Sequence, residues 1–225
     1  MKTFLPWLLW LWMCAVLVGA FLYAPPAAGF AEGESSRILF FHVPMAWVSL
    51  LAFVAAAVWS VRYLYRGRDP RHDRAAAVAV QLGLIFGVLA TVTGAIWANV
   101  EWGTWWNWDP RQTSILLSML FYAAYLALRS AIEDPQTRGR LSAVYALLGL
   151  VVTPFLFFIV PRITFSLHPD PVVNTQGKIE MESRMQQVLY ASTIGFTALF
   201  FWVHNLQCRL QALIERQSEA GGSRS

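Results

Sequence analysis

Four of the chain's 11 tryptophans fall within seven residues, in the run Trp-Gly-Thr-Trp-Trp-Asn-Trp. If this run forms one or two helical turns, three of the rings share one face and the fourth flanks it: Trp102, Trp105 and Trp106, with Trp108 at the side. Such a face offers a flat apolar platform with N–H donors, suited to a large planar ligand or to the aromatic surface of a partner. The alternative is an interfacial aromatic belt, in which indole rings settle at the depth of lipid headgroups.

The chain also has four histidines, whose imidazoles are common metal ligands. Two of them precede a proline, in the sequences Phe-His-Val-Pro and Ser-Leu-His-Pro. Pro44 removes a helical hydrogen bond close to His42, and Pro169 pushes His168 away from helical geometry. Both rings can therefore be held at bends that face a common cavity.

Asp109 follows the tryptophans and is expected to start a helix rather than to do chemistry. The sequence Asp-Pro-Arg-Gln predicts Asp109 as the N-cap, Pro110 at the first helical position and Gln112 as the residue that completes a capping box. Arg111 then lies in the first turn, where the helix dipole disfavours a cation. An anionic partner for Arg111 is therefore expected.

The chain that must position these residues is 225 residues long, 57% apolar and only 13% charged. A soluble protein carries about twice that charged share, and a soluble globule of this size could not bury so much apolar surface. Six stretches contain no Asp, Glu, Lys or Arg: 3–31, 38–61, 75–100, 112–128, 141–161 and 185–208. A transmembrane helix needs ~20 apolar residues, or as few as ~17, so all six can span a bilayer, the fourth only just.

The sequence thus predicts an all-α polytopic membrane protein with six transmembrane helices. The net charge of +4 must be assigned loop by loop, and a nucleic-acid-binding function is excluded. Lys and Arg number twelve on the side that holds the N-terminus, 62–74, 129–140 and the tail, and five on the other side. By the positive-inside rule both termini are predicted to be cytoplasmic. The predicted membrane domain is 1–208, and 209–225 is a cytoplasmic tail.

This topology predicts that the Trp-rich loop, at about 99–113, and the loop at about 162–184 face the periplasm. His42, at the outer start of the second span, and His168 share that side. The other two histidines are on the cytoplasmic side. Only the first pair can therefore act together with the tryptophans.

Two neutral imidazoles and an indole surface on one side of a membrane suit a metalloporphyrin. The imidazoles occupy both axial positions of the iron, and the indoles cover the apolar macrocycle. Its propionates suit a guanidinium group, and three candidates remain open: Arg111, Arg162 and Arg184. Two histidines without an outward cysteine are a thin ligand set for zinc, whereas Met181 and Met185 leave copper as an alternative. With no Cys-x-x-Cys-His sequence, covalent attachment of haem to this chain is not expected.

The loop sequence at 102–114, Trp-Gly-Thr-Trp-Trp-Asn-Trp-Asp-Pro-Arg-Gln-Thr-Ser, resembles the tryptophan-rich WWD signature of the haem-handling membrane proteins of cytochrome c maturation. Six spans in a chain of this length, with the two His-Pro sequences at 41–44 and 166–169, look like the haem exporter protein C family, CcmC. The resemblance covers nearly the whole chain except the tail. It departs at Asn107 and Pro110, where the family more often has an apolar and a small residue, so altered loop packing is expected.

The resemblance implies that the chain holds non-covalent haem b with His42 and His168 as the axial ligands of iron. It also implies that six loop residues bind the haem: Trp102, Trp105, Trp106, Trp108, Asp109 and Arg111. The implied location is the bacterial inner membrane, with the haem site facing the periplasm.

The resemblance further implies that the chain delivers haem to the membrane-anchored haem chaperone CcmE. The implied partners are the ABC-type subunits CcmA and CcmB and the small membrane protein CcmD. The chain lacks the Gly-x-x-x-x-Gly-Lys-Ser/Thr sequence that binds nucleotide phosphates, so ATP hydrolysis is assigned to a partner. The chain is predicted to be a haem-transfer subunit and not an enzyme.

A membrane b-type cytochrome subunit that passes electrons to quinone is the alternative from another class. Such proteins usually place their histidine ligands well inside facing helices, whereas the candidate ligands here lie at one membrane surface. A purely structural subunit is a third hypothesis, and it leaves the outward histidines and the Trp-rich loop without a function.

Overall fold

The computed structural model describes residues 4–27, 30, 32–168 and 181–222. Within these residues all regular structure is helical, which confirms the predicted all-α class. The α-helices of this part of the chain are α1 Phe4–Val18, α2 Leu39–Tyr65, α3 Pro70–Trp102, α4 Pro110–Ala131, α5 Pro135–Pro154, α6 Val160–Ile163 and α7 Ser183–Gly222.

Short helical segments of other types extend three of these helices. A π-helix at Gly19–Tyr23 continues α1, and a second one at Phe155–Ile159 joins α5 to α6. A 3-10 helix at Gly33–Ile38 leads directly into α2.

Five helical segments of the described chain are long and apolar enough to cross a membrane: Phe4–Tyr23, Gly33–Tyr65, Pro70–Trp102, Pro110–Ala131 and Pro135–Ile163. The sixth predicted span, 185–208, lies within the 40 residues of α7. The fourth span is longer than its uncharged stretch, because α4 has 22 residues and includes a charged residue near each end. The chain is therefore a polytopic, all-α membrane protein.

Three helices begin in the same way, with an aspartate at the N-cap and a proline at the first helical position: α3, α4 and α5. The capping carboxylates belong to Asp69, Asp109 and Asp134. Each accepts a hydrogen bond from a backbone N–H of the first turn, at 2.9 Å in α3 and α4 and at 2.7 Å in α5. The sequence explains these helix starts locally, since the aspartate satisfies a free N–H and the proline has none to satisfy.

Helices α2 and α3 form the centre of the bundle, where α2 packs against α3, α5 and α7. Glycines let aromatic rings approach the neighbouring helices closely, as small residues often do between membrane helices. A Cβ atom at Gly83 would meet the ring of Phe53 at 2.5 Å, and a Cβ atom at Gly149 would collide with the hydroxyl of Tyr122. The rings of Phe53 and Tyr122 stack on each other, with centroids 3.6 Å apart.

Helix α2 continues through Pro44, which the sequence identified as a disruption near His42. Proline has no N–H, so the carbonyl of Phe40 loses its partner within the helix. The hydroxyl of Ser192, on α7, donates a hydrogen bond to this carbonyl. The carbonyl that Pro44 leaves without a partner therefore links α2 to α7 through a hydrogen bond, which fixes the start of α2.

Candidate functional site

A cavity of about 300 Å³ lies at one end of the bundle, between α2, α3, α4 and the junction of α5 with α6. This volume is at the lower end of the range for small-molecule sites. His42 and His168 both line the cavity, as do Trp97, Trp106 and Arg111. The structure thus brings together the two histidines that the sequence singled out, although 126 positions separate them.

His42 lies in the first turn of α2, and its imidazole points toward α3. Its Nδ1 atom is 2.9 Å from the carbonyl oxygen of Ala90 and 3.2 Å from the hydroxyl of Thr93. A carbonyl oxygen can only accept, so Nδ1 carries the proton and donates it. The lone pair of the ring is therefore on Nε2.

Gly94 makes room for this imidazole. A Cβ atom at position 94 would lie 2.8 Å from Cε1 of His42 and 3.3 Å from its Nδ1. Contacts of 2.8 Å are too short for carbon atoms, so any larger residue would displace the ring. Gly94 is not recognisable as a site residue from the sequence, because its partner lies 52 positions away on another helix.

His168 follows α6, and the carboxylate of Asp109 holds its imidazole. Its Nδ1 atom is 2.8 Å from Oδ1 of Asp109 and donates a hydrogen bond to it. As in His42, the lone pair is then on Nε2. Pro169, which was expected to place this histidine, lies outside the described residues, as does the rest of 169–180.

Asp109 does more than the predicted capping. Its side chain is only 1% exposed, and it accepts hydrogen bonds from the backbone N–H groups of Arg111, at 2.9 Å, and Leu167, at 2.7 Å. The hydroxyl of Ser166 donates to it as well, at 2.9 Å. One carboxylate thus caps α4 and fixes the segment that carries His168.

The prediction for Asp109 as N-cap is confirmed, whereas the prediction for Gln112 is wrong. In a capping box Gln112 would bind the N–H of Asp109. Instead, Oε1 of Gln112 accepts from the N–H of Asn107, at 3.1 Å, and the N–H of Asp109 donates to Oδ1 of Asn107, also at 3.1 Å. Asn107 is closer to Asp109 in sequence than Gln112 is, and its side chain accepts the hydrogen bond that was predicted for Gln112.

The protonation states of this pair follow from its surroundings. Burial raises the pKa of Asp109, but the hydrogen bonds from Arg111 and Leu167 outweigh burial and hold the pKa below its usual range. Burial lowers the pKa of His168 to about 4, against the opposing effect of the Asp109 carboxylate, and the charge of Arg111 lowers this pKa further. At neutral pH the aspartate is ionised and the imidazole is neutral, so Nε2 of His168 can donate its lone pair to a metal.

The Trp-rich segment is not helical beyond Trp102. Gly103 takes the left-handed conformation, with φ of 70°, and ends α3, while 103–109 form no helical turn. The prediction that Trp102, Trp105 and Trp106 share one helical face is therefore wrong. Glycine adopts this backbone conformation without steric cost, which makes Gly103 the point where the helix stops.

The tryptophan rings are instead distributed over three places: beside His168, in the wall of the cavity and at the exposed surface. Trp97 and Trp102 pack edge to face, with centroids 5.0 Å apart, and their rings lie 5.8 and 4.9 Å from the ring of His168. Trp106 lines the cavity and contacts Trp108 edge to face. Trp105 and Trp108 are 58% and 68% exposed.

Trp97 is a site residue that the sequence analysis did not assign. Its position one turn before the end of α3 separates it from the dense tryptophan run, but its ring lines the cavity next to His168. Its aromatic type and its place five residues before Trp102 were the available signals.

Among the three arginines proposed for an anionic group, Arg111 lines the cavity. Arg162 donates to the carbonyl of Phe158, at 2.8 Å, and Arg184 lies 3.4 Å from the carboxylate of Glu182. Neither of these two is among the lining residues. Met185, considered as a copper ligand, packs into a separate apolar cluster.

The other two histidines lie at the opposite end of α3. His204 binds the carbonyl of Ala75 at 2.9 Å, and the rings of His72 and His204 both stack on Trp59. Ala75 is 15 positions from Ala90, the partner of His42. At about 1.5 Å per helical residue, the two histidine pairs are separated by roughly 22 Å along α3.

Fold and site together define a helical membrane protein with a paired-imidazole cavity at one end of its bundle. A family model described as "Heme exporter protein C" (CcmC) matches residues 1–222, and the chain belongs to this family. Members of the family take part in cytochrome c biogenesis.

Three relatives illustrate the similarity. The heme exporter protein C of Bradyrhizobium diazoefficiens is 32% identical over 212 residues, which are 94% of this chain and 80% of the relative. The protein of the same name from Escherichia coli K12 is 32% identical over 199 residues, with coverage of 87% and 78%. A putative cytochrome c biosynthesis ccmC-like mitochondrial protein of Marchantia polymorpha is 29% identical over 191 residues, with coverage of 84% and 81%.

Proposed function

We propose that this protein binds haem b non-covalently in the cavity, with His42 and His168 as the two axial ligands of iron. The observation that carries the proposal is that both imidazoles line one cavity while each Nδ1 is already hydrogen-bonded. Both lone pairs are therefore on Nε2, the nitrogen that commonly binds haem iron. When bound, the haem would supply the iron and the conjugated ring, and the protein would supply its ligands and its apolar walls.

The remaining lining suits the rest of a haem molecule. Apolar walls come from α4 and from the π-helix before α6, through Ile115, Leu156 and Phe157. Trp97 and Trp106 add indole surface. We propose that Arg111 binds a propionate, since a guanidinium group recognises a carboxylate through two parallel N–H donors.

We further propose that the protein hands its haem to the chaperone CcmE. Trp105 and Trp108 support this step, because they expose large apolar rings on the same loop as Trp106, which lines the cavity and contacts Trp108. Exposed apolar patches of this kind commonly mark interaction surfaces. CcmA, CcmB and CcmD are the proposed partners, and ATP hydrolysis belongs to the ABC-type pair. The chain itself acts as a transfer subunit and not as an enzyme.

The proposed location is the bacterial inner membrane, with the cavity at the periplasmic face and both termini in the cytoplasm. The loop charges support this orientation. The alternative b-type cytochrome gains no support from the positions of the ligands. His42 lies ten residues into the 33-residue segment Gly33–Tyr65, before its middle, and His168 lies beyond α6, outside the spans of the described chain.

The absorption spectrum of the purified protein tests the axial ligands. Wild-type protein should show the six-coordinate, low-spin spectrum of bis-imidazole haem, and His42→Ala and His168→Ala should each free one axial position and change it. The matched controls His72→Ala and His204→Ala should keep the wild-type spectrum. The double variant of His42 and His168 tests occupancy more strictly, because apolar walls and propionate contacts can retain some haem in the single variants.

A double variant with the wild-type spectrum at normal protein level would exclude these two histidines as ligands. If His204→Ala changed the spectrum and His168→Ala did not, the ligands would lie near the other end of α3. The electron-transfer function would then be favoured.

A further inference from the structure

The two candidate ligands are held by chemically different groups. His42 donates its Nδ1 proton to neutral oxygens, the carbonyl of Ala90 at 2.9 Å and the hydroxyl of Thr93 at 3.2 Å. His168 donates its Nδ1 proton to a carboxylate, Oδ1 of Asp109, at 2.8 Å. The site is therefore asymmetric in the groups that support the ligands, although both ligands are imidazoles.

A carboxylate acceptor changes the ligand that it supports. The negative charge draws the Nδ1 proton toward the oxygen, which raises the electron density on the ring and makes Nε2 a stronger donor. Hydrogen bonds to a charged acceptor are about twice as strong as neutral ones, so the ring is also held more firmly. A stronger, partly anionic donor favours ferric over ferrous iron, because ferric iron carries one more positive charge.

The structure keeps this carboxylate charged and fixed in place. Asp109 is buried, and the backbone N–H groups of Arg111 and Leu167 and the hydroxyl of Ser166 donate to it. It also lies at the N-terminus of α4, where the helix dipole stabilises a negative charge. Within the described part of the chain, the two oxygens that accept from Nδ1 of His42, those of Ala90 and Thr93, are both neutral.

We propose that Asp109 is a positioning residue that makes the two axial ligands unequal. His168 is the strong ligand, which holds haem and stabilises its ferric form, and His42 is the weaker ligand, which dissociates first when haem leaves. This inference rests on the proposed function, because it requires both histidines to bind iron. It assigns a defined order to haem release, which begins on the α2 side of the cavity.

The reduction potential of haem bound to the full-length protein tests the inference. Asp109→Asn keeps a good N-cap and a hydrogen-bond acceptor but removes the charge, so the helix start is retained. We expect the equilibrium between ferric and ferrous haem to shift about tenfold toward the ferrous form, an increase of about 59 mV for a one-electron couple. Asp134→Asn is the matched control, because Asp134 is also an Asp-Pro N-cap but binds only the start of α5. Its potential should equal that of the wild-type protein.

Haem retention gives a second, independent measurement. After the same purification, His42→Ala should retain haem. The haem content of His168→Ala should be at least tenfold lower, since this variant removes the ligand that Asp109 supports. Asp109→Ser, which retains a capping hydroxyl without a charge, replaces Asp109→Asn if that variant does not accumulate. Its potential should rise in the same way.

The two proposals fail by different results. If His42→Ala and His168→Ala leave the spectrum unchanged, the proposed haem site is wrong. The proposal that its two ligands are unequal is then wrong as well. If both variants change the spectrum but Asp109→Asn has the wild-type potential, the haem site stands and the role of Asp109 is excluded. Equal haem loss in the two histidine variants would likewise overturn the order of release.

Discussion

At the scale of single residues, Gly94 leaves the space that the imidazole of His42 occupies. Gly94→Ala places a methyl group 2.8 Å from Cε1 of the imidazole. The ring must move away from position 94, at a cost of about 1–3 kcal/mol for such overpacking. We expect Gly94→Ala to lose the six-coordinate, low-spin spectrum while the protein still accumulates, as measured by absorption and immunoblot of the same membranes.

Gly87→Ala is the control for this substitution. Position 87 lies two turns earlier on α3, and a Cβ atom there would meet the hydroxyl of Ser49 at 3.2 Å and the flexible side chain of Met119 at 3.3 Å. That side chain can shift, so the spectrum of Gly87→Ala should match that of the wild-type protein. A normal spectrum in Gly94→Ala would mean that the ring of His42 is not fixed where the iron requires it.

The sequence identified the residues of this site by type and left their partners undefined. His42 and His168 were found because each is near a proline and on the same predicted side as the tryptophans. The sequence predicts Asp109 as a helix cap and, by resemblance, as a haem-binding residue, but not as the support of His168, since this second partner is 59 positions later in the chain. A local pattern shows which backbone group a residue can bind, but not which distant side chain reaches it. Arg111 was one of three candidates for the same reason.

At the scale of elements, the loop between α3 and α4 divides its tryptophan rings between the cavity and the exposed surface, which one helical face would have combined. Trp106 lines the cavity, so Trp106→Ala should lower haem occupancy in the purified protein. Trp105 and Trp108 are exposed, so Trp105→Ala and Trp108→Ala should keep the bound spectrum and reduce transfer of haem to CcmE. Haem content and chaperone loading should be measured in the same cells.

The aromatic belt makes the opposite prediction for the two exposed rings. If Trp105 and Trp108 only anchor the loop at the lipid interface, Tyr or Phe at these positions should restore full activity. In that case the alanine variants should lower the abundance of the protein as much as they lower transfer. Such a result would exclude Trp105 and Trp108 as a docking surface for CcmE.

The helices were predicted from the absence of charge, and this signal located all six without giving their ends. The stretch 112–128 underestimates α4 because Arg129 continues the helix beyond it. Arg129 can lie there because its guanidinium group binds the carboxylate of Asp73 on α3, at 2.6 and 2.9 Å. The end of α3 was misplaced for a different reason. The spacing of the tryptophans suggested a helix, but Gly103 ends it.

At the scale of the whole molecule, reporter fusions test the orientation on which the proposed function depends. Reporters after Pro25, Thr104 and Asn174 should be periplasmic, and those after Asp69, Thr137 and Ser218 should be cytoplasmic. Of these positions, Asn174 lies outside the described residues. These locations are expected because the segments on the predicted cytoplasmic side carry twelve Lys and Arg residues, whereas the segments on the other side carry five. A cytoplasmic signal at Thr104 would place the cavity at the wrong membrane face for delivery to a periplasmic chaperone.

The distance along the chain between the two histidines of the cavity has a consequence for biosynthesis. A ribosome that adds about 5–20 residues per second needs roughly 6–25 s to proceed from His42 to His168. Through most of that interval the nascent protein carries only one of the two cavity imidazoles and lacks the final wall, which Leu156, Phe157 and Pro161 provide. A chain stopped by a nonsense codon before position 168 would insert most of its helices and still present half a site. On the proposed function, capture of haem between the two histidines therefore requires translation at least as far as His168, and shorter intermediates lack the complete ligand pair.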